Sequence, residues 1–236
     1  MKTRLTRLAA VVLAATGVVA LSGCDDDATG PGEQSRASVY VVHGINGTDI
    51  GAAEALPVDV EVSGQGCVLE GVEFRDIEGP LTLPAGTYDI TVRLAAAEAC
   101  SGDAAIQANG VQLQDGDDVS VTAHLDASGA PTASLFANDL SEASGSTKVS
   151  PRHAAAFGPV DVVVNGSAAF ENVPNGQAGT AVLDPGTYNV QIQTPDNQTT
   201  AFEADLELSA GTLYAAYAVG TVANGTFEVL LQTIDF

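Results

Sequence analysis

The phrase "LTLPAGTYDITV" at residues 81–92 returns as "AVLDPGTYNVQI" at 181–192, and "LPVDVEVSG" at 56–64 returns as "GPVDVVVNG" at 158–166. A chain that writes a strand, a corner and a second strand twice at nearly constant offset must build the same unit twice. Leu81 and Leu83 point to one side of a short strand, and Pro84 and Gly86 make the turn, Pro by fixing φ and Gly by tolerating backbone that other residues avoid. Tyr88, Ile90 and Val92 then alternate toward one layer, as do Tyr188, Val190 and Ile192 in the second copy. A Tyr just after such a corner buries its ring while its hydroxyl bonds nearby backbone. An aromatic ligand platform is the competing reading of Tyr88 and Tyr188.

Between the repeats the chain is a series of short Val/Thr/Tyr-rich runs with period-two alternation: 38–42, 58–62, 87–93 and 119–125, then 160–164, 188–193, 202–208, 213–219 and 227–232. Asn-Gly, Asp-Gly and Pro-Gly pairs punctuate them, and no amphipathic helix of ten residues appears. This pattern predicts an all-β chain of two tandem sandwiches, immunoglobulin-like or prealbumin-like, at 38–138 and 147–236, joined by a polar linker at 139–146.

The N-terminus says where such a chain works. Lys2, Arg4 and Arg7 precede an apolar run from Leu8 to Leu21, too short for the roughly 20 residues of a membrane span and suited to a signal peptide. It ends in "LSGC", which resembles the lipobox of bacterial lipoproteins. The resemblance implies cleavage after residue 23 and acylation of Cys24, leaving residues 24–37 as a flexible tether and the protein anchored to a membrane of the bacterial envelope. A secretory signal beside a free Cys is the alternative. Loss of the three basic residues leaves five Lys and Arg against 30 Asp and Glu, a formal charge of −25. Such a chain is repelled by nucleic acid, which is excluded as a partner. Cys67 and Cys100 form an even pair in an oxidising compartment and predict a disulfide.

"VSPRHAAAFGPVDVVVNG" (149–166) followed by "LDPGTY" resembles the bacterial extracellular family called domain of unknown function 4397, whose members read approximately V-x-x-R-H-A-x-x-x-P-x-V-D-V-x-V-N-G and then L-P-x-G-T-Y. The first half follows the frame more loosely, with Gly44 after the His and a longer insert, "INGTDIGAAEAL" (45–56). The resemblance implies envelope β-sandwich modules, often in tandem, without an established activity.

Four polar residues repeat. His43 and His153 open the two copies, but no carboxylate or second His recurs beside them at ligand spacing, so they read as strand-end hydrogen-bonding groups rather than metal ligands. Asp59 and Asp161 sit between valines and are expected on the wetter strand face, paired with Arg75 or Arg152 or bonded to a loop. His124, inside an alternating strand, is expected to be partly exposed. "DGDD" (115–118) reads as a hairpin turn, lacking the alternating ligands and distal Glu of a calcium loop. No G-x-S-x-G, S-x-x-K or P-loop occurs. The sequence thus predicts no enzyme and no cofactor, but a structural or protein-interaction module partnering another envelope protein. Binding of a glycan, a small ligand or calcium through loops or the interdomain cleft is the alternative.

Overall fold

The computed structural model describes residues 35–236, apart from 142, 144, 197 and 198. The signal segment, Cys24 and the tether as far as residue 34 lie outside the described residues. The first repeat supplies β1 (Arg36–His43), β2 (Val58–Val62), β3 (Gly66–Val72), β4 (Ile77–Pro84), β5 (Gly86–Leu94), β6 (Ala104–Leu113), β7 (Asp118–Leu125) and β8 (Pro131–Ala137). The second supplies β9 (Thr147–His153), β10 (Val160–Val164), β11 (Ser167–Val173), the short β12 (Gln177–Ala178) and β13 (Ala181–Leu183), then β14 (Gly186–Gln193), β15 (Thr200–Leu208), β16 (Thr212–Val219) and β17 (Glu228–Asp235).

Each repeat folds into two sheets. In the first, β4-β1-β7-β8 form an inner sheet and β3-β2-β5-β6 an outer one. In the second, β12-β9-β16-β17 form the inner sheet, with β13 also on β9, and β11-β10-β14-β15 the outer. The opening strand of each repeat runs parallel to the strand beside it, β1 to β7 and β9 to β16, while the other pairs are antiparallel. The fold is all-β and the two repeats are two sandwiches.

The duplicated corner carries the chain from one sheet to the other, from β4 at the edge of the inner sheet to β5 inside the outer one. The turn at 115–118 does the same between β6 and β7, so it is an inter-sheet arch rather than a hairpin. β1 begins at Arg36, two residues before the expected start of the first sandwich, because Ala37 joins Val39 and Val41 in the core.

The two inner sheets face each other. Val42, Phe74 and Phe136 of the first sandwich pack in one cluster with Ala154, Ala215, Tyr217, Val219 and Leu230 of the second. The order of layers is therefore outer, inner, inner, outer, and strands β7 and β16 are covered on both faces. This is why β7 is buried at seven consecutive positions, beyond what alternation on a half-exposed strand allows. Gly44 follows from the same packing: a Cβ there would lie 2.7 Å from Val219 Cγ1 and 3.1 Å from the Ala123 carbonyl oxygen. The second copy has Ala154 at this place.

Candidate functional site

The residues that repeat in sequence do not come together. Each holds its own corner of its own sandwich. His43 ends β1, with Nε2 donating to the Leu56 carbonyl at 2.8 Å and Nδ1 accepting from the Ile45 amide at 3.3 Å. His153 ends β9 and donates from Nε2 to the Gly158 carbonyl at 2.9 Å, while its ring lies 5.0 Å from that of Phe157. Both are buried, and burial lowers the pKa of each below the ordinary imidazole value. His124 is also buried, not partly exposed, because its outward face is the one that meets the other sandwich; it bonds the Leu125 carbonyl and Ser134 Oγ. Its pKa too is lowered by burial.

Asp59 departs from expectation. It is only 3% exposed, since the loop that carries Cys100 folds over the outer sheet. Its carboxylate accepts from the Gly71 amide at 2.9 Å and the Cys100 amide at 2.8 Å, and it contacts neither Arg75 nor Arg152. Asp161, its repeat mate, is half-buried and accepts from the Asn172 amide at 2.7 Å. Cys67 and Cys100 are disulfide-bonded, tying the same loop to β3 with a Cα–Cα distance of 5.8 Å. Tyr88 and Tyr188 each donate to the carbonyl four residues earlier, Pro84 and Asp184, both at 2.8 Å. Tyr88 is buried; Tyr188 is only half so.

The chemistry that does converge lies between the inner sheets, at residues the sequence offered only as partners for Asp59 and Asp161. Arg152 is 1% exposed and touches no carboxylate. Its guanidinium donates to Tyr217 Oη, to Asn138 Oδ1 at 2.5 Å and to the Ala137 carbonyl at 3.2 Å. It also lies over the rings of Phe136 and Tyr217, at 5.3 and 4.9 Å from the centroids. Tyr217 Oη in turn donates to Gln232 Oε1, and Ser120 joins Asn138 and Gln232. Burial lowers the Arg152 pKa, with Tyr217 and Asp118 opposing the shift, and raises that of Tyr217. A planar five-donor cation suits this place because one side chain satisfies acceptors from both sandwiches at once.

A second cation closes the linker. Lys148, 2% exposed, donates from Nζ to the Ser141 carbonyl, Ser141 Oγ and the Asp139 carbonyl, with the Asp139 carboxylate at 2.9 Å. The insert at 45–56 is a third fastening: Asp49 accepts from Asn224 and Thr226, while Arg75 bridges Glu54 and Glu228. Sequence reasoning missed the arginine network because Lys148, Ser150 and Arg152 alternate as a solvated strand face would. The available signal was β16, "TLYAAYAV", apolar on both faces and so covered on both.

Among the described residues, no group of three or more His, Cys, Asp or Glu is placed to hold a metal ion. The family model described as "Domain of unknown function (DUF4397)" matches the chain over residues 37–160 and again over 153–234. The chain belongs to the DUF4397 family. The two matches overlap at residues 153–160, a stretch that begins at His153 at the end of β9. No curated protein matches the chain. Among solved structures, two described as a "putative cell adhesion protein" are similar over most of the DUF4397 chain. The one from Bacteroides uniformis is 13% identical, with 85% of this chain and 99% of that one covered and a TM-score of 0.28. The one from Bacteroides ovatus is 11% identical, with 86% and 98% covered and a TM-score of 0.27. The Bacillus anthracis TIE protein is 9% identical, covering 79% of this chain and 34% of that one, with a TM-score of 0.23.

Proposed function

We propose that this chain is a lipid-anchored protein of the bacterial envelope that serves as a non-catalytic protein-interaction module, held to the membrane through Cys24. The observation that carries the reading is the use made of the buried polar groups. His43, His124, Arg152 and Lys148 spend their hydrogen bonds on backbone or neighbouring side chains that lock strands, linker and sandwiches together. His153 donates from Nε2 to Gly158, while its buried Nδ1 has no hydrogen-bond partner among the described residues. Groups committed in this way stiffen a scaffold and leave the surface to do the work. A rigid double sandwich keeps its edge strands and loops in fixed relation, which lowers the ordering cost of binding. The lipobox-like "LSGC" supports the anchored part of the reading, because two or three acyl chains hold a protein durably where one does not.

Membrane fractionation of the chain and of Cys24→Ala tests the anchor: the variant is expected in the soluble fraction, and undiminished retention in membranes refutes it. Cross-linking and affinity capture from native membranes tests the interaction role. Recovery of no envelope protein above the level of an unrelated lipoprotein control refutes that part.

A further inference from the structure

The two copies differ where their sheets should close. In the first sandwich β6 packs against β8, so the edges of the outer and inner sheets meet. The corresponding edges of the second, β15 and β17, make no contact of comparable extent. Behind them an apolar slot runs between the sheets in two adjoining compartments of about 100 and 40 Å³. Leu206, Ala216 and Leu231 line both. Its width follows from a change on the inner sheet: Val121, paired with Val41 in the first copy, becomes Ala216, paired with Pro151, in the second. Phe202 and Leu206 are only half-buried beside it, and Leu231 is 43% exposed at its mouth.

The same two strands are the edges least protected against pairing. Natural sheets blunt their edges with bulges, prolines, lysines or very short strands. Here the edges β4, β3, β6 and β11 carry register shifts, β12 and β13 are two and three residues long, and β8 begins at Pro131 and abuts β6. β17 pairs without a break over eight residues, and β15 over nine with one shift at its start. Neither contains Pro, Lys or Arg. β15 alternates half-buried Phe202, Ala204 and Leu206 with exposed Glu203, Asp205 and Glu207, and β17 adds Glu228 and Asp235.

We propose that the second sandwich takes up an extended segment of a partner protein along its open side between β15 and β17. The segment adds as a strand, its backbone pairing with a free edge. Alternate apolar side chains enter the slot, and the basic side chains between them face the carboxylates of β15. This rests on the interaction-module reading and names the surface and the chemistry of its partner.

The test uses the full chain and three synthetic peptides followed by fluorescence anisotropy at physiological salt: acetyl-KVKVKVK-amide, the equally charged acetyl-KSKSKSK-amide and the acidic acetyl-EVEVEVE-amide. The first is expected to bind at least tenfold more tightly than either of the others. Ala216→Leu, which fills the slot, is expected to weaken it tenfold. Should that variant fold poorly, Leu231→Lys at the exposed mouth is expected to weaken it as much, while Leu135→Lys at the equivalent place on β8 leaves it unchanged. Absence of binding, equal binding of the serine peptide, or equal effects of Leu231→Lys and Leu135→Lys overturns the proposal. If capture from native membranes still recovers a partner equally well with Leu231→Lys, the module reading stands and this surface is the part that fails.

Discussion

The repeated aspartates offer an internally controlled measurement, because one residue type at one repeat position has two environments. Asp59 is almost fully buried and accepts two backbone amides, from Gly71 and Cys100. Asp161 is half-buried and accepts one, from Asn172. A hydrogen bond to a charged group contributes about 1.5–3 kcal/mol, and a buried donor stranded by loss of its acceptor costs about the same. Asp59→Ala removes the buried acceptor of two charge-assisted bonds, from exposed Gly71 and half-buried Cys100, so its expected cost is about 3–5 kcal/mol. Asp161→Ala frees one amide that water reaches, so about 1 kcal/mol is expected. For 150–250 residues each kcal/mol moves Tm by about 2–4 °C, which places Asp59→Ala roughly 6–20 °C below the parent and Asp161→Ala only about 2–4 °C below. Thermal melts followed by near-ultraviolet circular dichroism, with the disulfide intact, read both. A loss for Asp161→Ala equal to or larger than that for Asp59→Ala refutes the reasoning from burial and partner count.

Removal of the disulfide with Cys67→Ala and Cys100→Ala is expected to cost about 3–4 kcal/mol, from the chain entropy of a loop of roughly 34 residues; urea midpoints measure it, and an unchanged midpoint counts against a constrained loop. Arg152→Lys replaces a planar fork by one ammonium that cannot reach Tyr217, Asn138 and Ala137 together, and is expected to lower stability by about 2–4 kcal/mol in urea unfolding. The three histidines predict acid lability: their pKa values are lowered in the folded chain, so both states are neutral above about 6.5 and nothing is contributed there. As pH falls below that value the unfolded chain binds protons that the folded one refuses, and stability drops by up to about 1.4 kcal/mol per pH unit for each histidine. Urea midpoints that stay level between pH 7 and 5 in the wild type, or that fall equally in a variant with all three replaced by Gln, contradict this.

Alternation and turn chemistry made the sandwiches legible, since a half-buried strand writes its two faces into successive residues. The corner at Pro84 to Tyr88 and its copy at Asp184 to Tyr188 were readable for the same reason: turn, ring and hydroxyl are all local. What alternation cannot register is a second cover. Asp59 reads as solvated because it alternates with Val58 and Val60, yet the disulfide loop, far along the chain, lies over it. His124 and Arg152 read as outward-facing, and they are; outward in this molecule means toward the other sandwich. The face-to-face inner sheets depend on residues more than a hundred positions apart, such as Ser120 and Gln232, and no local period encodes that pairing.

The junction also accounts for how the copies diverged. Once two sandwiches share their inner faces, the strands there answer to two cores at once. Gly44 can no longer be Ala because Val219 stands against it, and Arg152 is placed where Val42 stands in the first copy, each one residue before the repeated His. The outer sheets and the edges carry no such double constraint. The first copy uses that freedom to gain the insert at 45–56, which reaches across to Asn224 and Thr226. The second uses it to open the side between β15 and β17. Divergence in the shared layer therefore follows the demand of packing, whereas divergence at the free edges changes what the surface can hold, and it is there that a difference in role between the two copies is to be sought.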